Sequence, residues 1–202
     1  MSNIDLNLGR SEFGNPKNVG NVLPEGEAFE LLNSWVKNEK LIVHMRQVAH
    51  LMKSYAKEKG YDESTQYRWF LAGLLHDADW DQWPDLHCKK IIEELESRQV
   101  DPEIIRAIAS HGPRYFGVEP KSEMDKMLYA FDELSGFVHA YSLMRPTGYE
   151  GMEIKGVKKR LKDKTFAAQV SREDIRDGSE RAGMSVEELI QFVIDNQPDA
   201  LN

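Results

Sequence analysis

The chain has 202 residues, of which 41% are hydrophobic and 30% are charged, and its formal net charge is −8. This length allows one well-cored domain, and the composition is that of an ordinary globular protein. The negative charge argues against a broad nucleic-acid-binding surface, and a single cysteine, Cys88, excludes an internal disulfide. We see neither the pattern of a signal peptide nor an apolar run of the roughly 20 residues that a membrane span needs, so we expect a soluble, cytoplasmic protein.

Residues 1–23 are rich in Asn and Gly and show no sustained hydrophobic period. They predict an extended or partly disordered N-terminal arm, because few of their side chains can offset the cost of ordering. From residue 24 onward the pattern is helical, without alternating strands or an internal repeat. We therefore predict an all-α protein with one compact helical domain over residues 24–202, which includes a basic C-terminal helical extension.

Apolar stripes mark the predicted helices in chain order. They lie around residues 29–36, 48–55, 67–74, 91–95, 104–108, 122–144 and 189–193, with shorter helices expected in the basic last third. Three helix starts carry a side chain that can accept a hydrogen bond from the first turn, namely Asp62, Asp101 and Ser185. These caps fix where the helices begin.

The most informative feature is the doublet His76-Asp77, which ends the apolar run 70–75. Two adjacent metal-binding side chains are uncommon at such a place. Further candidates lie far away along the chain: His44 upstream, and His87, His111 and Asp132 downstream. Imidazoles and carboxylates from several segments can surround a divalent cation with nitrogen and oxygen ligands, which is the chemistry of a hydrolytic metal site.

Helical spacing turns these side chains toward the core. His44, His87 and His111 share stripes with apolar residues of their predicted helices, and Asp132 lies one turn from Leu128. A buried imidazole or carboxylate is costly without a partner. One shared metal satisfies all of these groups, whereas separate hydrogen bonds need a different explanation for each. We therefore favour a metal site over a set of polar core residues.

With these residues the chain resembles the HD-domain superfamily of metal-dependent phosphohydrolases. The spaced pattern His44, His76-Asp77, Asp132 matches the four-ligand motif of that family. The matching context is LIVHMRQVAHLM, AGLLHDADWD, RAIASHG and LYAFDELSGF. More narrowly, the chain is similar to a group of predicted HD hydrolases of unsettled substrate, through DELSGFVHAYSLMRP and VKKRLKDKTFAAQVSRE. The resemblance runs from about Glu27 to the C-terminus.

The resemblance implies a helical bundle that holds one or two divalent ions per chain (Mn, Fe, Co, Ni or Zn). The implied ligands of the first ion are His44, His76, Asp77 and Asp132. His87 and His111 match additional histidines that bind a second ion or contact a phosphate in HD proteins. Some two-metal members have paired histidines where this chain has His111-Gly112.

We interpret the chain as a metal-dependent phosphohydrolase in which metal-activated water attacks a phosphate ester of a small molecule, such as a nucleotide. Asp79 and Asp81 are candidates to orient or deprotonate that water, and a solvated acidic loop is the alternative. Trp80, Trp83 and Tyr115 are candidate stacking surfaces. No glycine-rich phosphate loop is present.

Basic residues of the C-terminal third are candidates for substrate binding. Arg145 ends the predicted helix of Asp132, so we expect it to grip a phosphate with two parallel hydrogen bonds. Further positive charge is expected from Lys158, Lys162 and Lys164, for which a solvated helix face is the alternative.

Three other functions remain open at this stage. The first is a non-catalytic HD module that binds a phosphorylated ligand for signalling. The second is a structural metal protein, which a cysteine-poor ligand set fits badly. The third is an oxygenase with two iron ions, because histidine and aspartate suit iron as well.

Overall fold

The computed structural model describes residues 20–113 and 117–201, without the side chain of residue 201. Over these ranges the chain forms nine α-helices and two short 3-10 turns, and no strand. The helices are α1 Glu25–Trp35, α2 Glu39–Glu58, α3 Glu63–Leu75, α4 Lys89–Ser97, α5 Pro102–Ser110, α6 Glu123–Leu143, α7 Ile154–Leu161, α8 Arg172–Ala182 and α9 Val186–Asn196. The predicted all-α class is confirmed.

The capped helices begin where their capping side chains predict. Asp62 and Asp101 accept hydrogen bonds from the first turns of α3 and α5. Ser122 and Ser185 form capping boxes at the starts of α6 and α9. These local bonds satisfy backbone donors that a helix start leaves without a partner, so the boundaries follow from the sequence.

Close packing of α3 on α2 positions the first candidate ligands. A Cβ atom on Gly73 would lie 2.7 Å from the Cα atom of Ala49, so the two helices meet at backbone contact only because residue 73 is glycine. Three residues later His76 ends α3, and its ring centroid is 5.2 Å from that of His44 on α2. The glycine contact therefore sets the spacing between these two imidazoles.

The C-terminal extension is held against α6 by a second close contact. A Cβ atom on Gly178 of α8 would lie 2.9 Å from the Cα atom of Ala130. Arg172, at the start of α8, donates a hydrogen bond to the carbonyl of Val170 at 2.7 Å and further bonds to carbonyls earlier in the same loop. These contacts fix both α8 and the loop before it beside α6.

The predicted N-terminal arm lies outside the described residues, apart from residues 20–23. Within this short part, Asn21 forms an isolated parallel bridge with Val100, and Leu23 is buried in the core. None of the described helices combines the length and hydropathy that crossing a membrane requires.

Candidate metal centre

His44 of α2, His76 and Asp77 after α3, and Asp132 of α6 converge in space. One ligand atom of each lies within 4.8 Å of the corresponding atoms of the others. His44 Nε2 is 3.0 Å from Asp132 Oδ1, and His76 Nε2 is 3.4 Å from the same oxygen. His76 Nε2 is also 3.5 Å from Asp77 Oδ2. We call these four residues the four-ligand cluster. Their mixed nitrogen and oxygen donors are those that divalent transition metals take in hydrolases.

His87 and His111 lie on the other oxygen of Asp77. Their Nε2 atoms are 3.3 and 3.4 Å from Asp77 Oδ1, and 3.3 Å from each other. We call His87, His111 and this oxygen the two-histidine cluster. Asp77 thus presents Oδ2 to one cluster and Oδ1 to the other, which is the position of a bridging carboxylate.

The rings of three histidines are held in one orientation. His76 and His111 each donate Nδ1–H to the backbone carbonyl three residues earlier, at 2.8 and 2.6 Å. His87 donates Nδ1–H to Asp79 Oδ1 at 2.7 Å. A carbonyl or carboxylate oxygen only accepts, so each Nδ1 carries the proton and each Nε2 can present a lone pair. Histidines that bind metals are oriented in this way.

These lone pairs fit a bound cation. His76 Nε2 is fully buried and makes no hydrogen bond of good geometry with the described residues. The Nε2 atoms of His87 and His111 approach each other at 3.3 Å, where two lone pairs repel unless a proton or a metal lies between them. A buried polar atom without a hydrogen bond, such as His76 Nε2, costs free energy. The residues present therefore fit a divalent ion held by the four-ligand cluster.

The charges of the cluster support the same conclusion. Burial alone lowers the pKa of His76, but the charges of Asp77 and Asp132 outweigh it and raise the pKa to about 9. Burial also opposes ionisation of the two carboxylates, yet the neighbouring histidines hold the pKa of each below its ordinary value. In the metal-free protein, a proton on His76 thus supplies the positive charge that a bound cation would otherwise provide.

Residues 41–136 match the family model described as HD domain. The matched range contains all six residues of the two clusters. The chain therefore contains a domain of the HD superfamily. This superfamily is one of metal-dependent phosphohydrolases. A search of curated proteins and a search of solved structures found no match to the chain.

Both clusters of the HD domain open into a cavity of about 630 Å³, a size that suits a small molecule. Trp80 also lines this cavity; its side chain is half exposed, and its ring lies 4.8 Å from that of His87 in an edge-on contact. By contrast, Trp83 packs against Trp35 at 4.8 Å, and Tyr115 lies outside the described residues. Of the three predicted stacking residues, Trp80 is thus the one placed by the structure in the lining of this cavity.

The rest of the lining includes residues that the sequence did not single out. Glu133 follows Asp132, lines the cavity and accepts the backbone N–H of Ser171 at 3.1 Å. Burial, followed by the charge of Asp132, raises the pKa of Glu133 to about 8. The sequence signal that could have identified Glu133 is its position directly after Asp132, an aspartate that faces the core. Tyr129 and residues of the extension, which are Gln169, Val170 and Asp174, complete this side.

Asp79 and Asp81, the predicted catalytic carboxylates, do not line the cavity. Asp79 is fully buried and accepts hydrogen bonds from His87 Nδ1 at 2.7 Å and from a backbone N–H of α4 at 3.0 Å. Asp81 accepts the backbone N–H groups of Lys37 and Asn38 at 2.7 and 3.0 Å. Asp79 thus orients a candidate ligand, and Asp81 joins two loops.

The predicted substrate-binding cations are placed elsewhere too. Arg145 donates to the carbonyl of Glu150 at 2.9 Å. It follows Asp132 by thirteen residues, mostly of helix, which corresponds to a distance of about 20 Å along the axis. Lys158 pairs with Glu187, and Lys162 and Lys164 are exposed. None of these four cations lines the cavity.

His87 lies outside the helix that its spacing predicts. It follows the 3-10 turn Pro84–Leu86, and α4 begins only at Lys89. Between them Cys88 takes the left-handed conformation, with a φ angle of 65°. Its thiol is buried beside His111 Nδ1 at 3.6 Å, and burial raises the pKa of the thiol. His87 therefore reaches the cavity through a loop that Asp79 holds.

Proposed function

We propose that the protein is a metal-dependent phosphohydrolase that cleaves a phosphate ester of a small molecule. The observation that carries the proposal is the arrangement around Asp77, where the Nε2 atoms of His76, His87 and His111 converge with their Nδ1 atoms already bonded. A bound divalent ion supplies Lewis-acid activation of the phosphoryl group and lowers the pKa of a bound water.

The residues of the two clusters have separate roles in this proposal. His44, His76, Asp77 and Asp132 would hold one divalent ion. His87 and His111, on the second oxygen of Asp77, would hold a second ion or, when Nε2 is also protonated, donate hydrogen bonds to the phosphate. Asp79 keeps His87 in the orientation that either role needs, since it accepts the Nδ1–H bond.

The cavity supports a small substrate. Its volume suits a ligand of the size of a nucleoside monophosphate, and the half-exposed Trp80 offers a planar apolar surface beside His87. The net charge of −8 gives the protein no general attraction for the nucleic-acid backbone. A free phosphorylated metabolite is therefore favoured over a polymer.

The test is phosphate release from a panel of phosphate monoesters by protein loaded in turn with Mn, Fe, Co, Ni or Zn. We expect turnover with at least one metal, and a loss of at least about a thousandfold in His44→Ala, because metal activation contributes several kcal/mol to the barrier. The matched control is His50→Ala, which removes a half-buried histidine of the same helix that lines no part of the cavity. Loss of activity in neither variant, or no turnover with any metal, would contradict the proposal.

Oxygenase chemistry at two iron ions is the second candidate. It is favoured by the bridging position of Asp77 between two pairs of histidines, since this donor set suits iron as well as other divalent ions. Oxygen uptake by the iron-loaded protein, without phosphate release from any ester, would select it. Tight binding of a phosphorylated ligand without any turnover would instead indicate a signalling module.

A further inference from the structure

The basic residues around α7, which do not line the cavity, form a positive surface in an acidic protein. Residues 154–164 contain six lysine or arginine residues and one acidic residue, whereas the whole chain has a net charge of −8. Five of the six are exposed lysines, namely Lys155, Lys158, Lys159, Lys162 and Lys164. This short segment therefore has a charge opposite to that of the rest of the chain.

Most of these lysines are not neutralised by a carboxylate. Lys158 pairs with Glu187, and Arg160 lies 3.7 Å from Asp163. Within the described part of the chain the other four form no ion pair; they are Lys155, Lys159, Lys162 and Lys164. The first three of them follow one another at spacings of four and three residues, so they share the face of α7 opposite to the buried Val157. This helix face offers its positive charge to the solvent.

An exposed apolar pair lies at the end of the neighbouring helix. Leu143 and Met144, where α6 ends, are 74% and 56% exposed. The next residue is Arg145, and its guanidinium carbon and that of Arg160 each lie 5.8 Å from the ring centroid of Tyr141. The end of α6 and α7 therefore meet at this ring. We call residues 143–145 and the exposed residues of 154–164 the α6–α7 surface.

We propose that the α6–α7 surface docks on a lipid bilayer that carries anionic headgroups. The lysines contact the headgroups, and Leu143 and Met144 insert at the boundary between headgroups and acyl chains. A contact of this kind needs no helix that crosses the membrane. At physiological ionic strength, charges are screened beyond about 8 Å, so the lysines nearest the bilayer outweigh the net negative charge of the chain.

Other occupants fit this surface less well. A second copy that met it about a two-fold axis would place like charges against each other. A nucleic acid backbone would pair with the lysines but offers no apolar layer to Leu143 and Met144. A peptide is usually held in a groove or at a sheet edge, whereas α7 presents a convex helix face. A bilayer accepts both kinds of side chain and needs no groove.

The test is flotation of the full chain with vesicles of phosphatidylcholine alone, or of phosphatidylcholine and phosphatidylserine in equal parts. We expect binding to the mixed vesicles only, and a loss of at least about fivefold when salt is raised from about 0.1 to about 0.5 M, because salt screens the headgroup charge. No binding to the mixed vesicles at the lower salt would show an ordinary solvated lysine face and overturn the proposal. Equal binding to both kinds of vesicle would overturn it as well.

A pair of double variants places the charge effect on α7. Lys155→Gln with Lys159→Gln should lower binding to the mixed vesicles by about tenfold or more, because each lysine near an anionic surface contributes about fivefold. Lys53→Gln with Lys57→Gln is the matched control, since it removes the same charge from two exposed lysines at the same spacing on α2. Equal losses in the two double variants would mean that only net charge matters, and the proposed surface would be wrong.

The apolar pair is tested by Leu143→Gln, which should lower binding by about fivefold because the leucine no longer inserts. Leu86→Gln is the control, since Leu86 is also exposed but lies in the turn before α4. Wild-type binding by Leu143→Gln would overturn the insertion. Retention of the protein by poly(U) RNA without vesicle binding would assign the surface to nucleic acid and also overturn the proposal. None of these measurements depends on turnover, so they leave the proposed phosphohydrolase function untouched.

Discussion

The two sides of the cavity differ in what their side chains still need. On the side of the two clusters, His76 Nε2 is buried without a hydrogen bond of good geometry, and the Nε2 atoms of His87 and His111 lie 3.3 Å apart. On the side built by α6 and the extension, Asp174 and Glu133 already accept hydrogen bonds from Tyr129 and from the backbone. The first side needs a cation, whereas the second is satisfied and preorganised. The two sides therefore differ in whether their polar side chains favour a bound cation.

The largest effect is expected in the four-ligand cluster, from Asp132→Ala. This change removes the oxygen that lies 3.0 Å from His44 Nε2 and 3.4 Å from His76 Nε2, so kcat should fall at least about a thousandfold. Steady-state phosphate release measures it. Asp85→Ala is the control, since Asp85 lines the cavity outside both clusters and its loss should cost far less. Similar rates in the two variants would show that the clusters are not the reactive side.

The pH dependence of metal affinity is a second test of the four-ligand cluster. The pKa of His76 is raised to about 9 in the metal-free protein, so below that pH a metal must displace a proton from this ring. Raising the pH removes the competitor, and the apparent affinity should increase by up to about tenfold per pH unit between pH 7 and 9. Competition with a chromophoric chelator at three pH values measures this increase. An affinity that falls as the pH rises over this range would contradict the account.

A smaller effect is expected from Asp79→Asn, which weakens the bond that orients His87. Metal affinity or activity should fall about ten- to hundredfold, as is usual when a partner of a ligating histidine is changed. Asp81→Asn is the matched control, because Asp81 also bonds backbone N–H groups but contacts no histidine ring. If the two variants bind metal equally well, His87 is not held for metal or phosphate binding.

The smallest expected effect is on the stability of the extension side. In Gly178→Ala the new Cβ meets the backbone of Ala130, so α8 must shift away from α6 and unfolding free energy should fall by about 1–3 kcal/mol. In the control Gly156→Ala the nearest atom is the hydroxyl of Tyr141, an end of a side chain that can move, and stability should be kept or slightly improved. Urea titrations measure both. Equal stability of the two variants would mean that the α6–α8 contact is not tight.

What the sequence predicts well here is local or periodic. The capping residues Asp62, Asp101, Ser122 and Ser185 act on their own first turns, so their helix starts follow without knowledge of the tertiary structure. The core-facing positions of His44 and Asp132 follow from helical spacing, and the structure brings them within 3.0 Å of each other. Such features depend on few distant contacts.

The features that the sequence could not predict depend on the direction in which the chain turns after a helix and on how distant helices pack. Asp79 and Asp81 are adjacent to the doublet, but the turn after α3 directs both away from the cavity. Arg145 follows the end of the helix that carries Asp132, and the length of that helix keeps the two residues far apart. Asp174 enters the cavity lining only because α8 packs on α6 at Gly178, and neither position carries a motif.

Metal content of the purified protein tests the central claim most directly. Elemental analysis by plasma mass spectrometry should find one or two transition-metal ions per wild-type chain, as isolated or after loading with Mn, Fe, Co, Ni or Zn. Asp77→Ala removes the carboxylate that both clusters share, so it should bind close to none while keeping its helical circular dichroism. A wild-type protein that takes up no metal, or an Asp77→Ala variant that binds as much as wild type, would contradict the account.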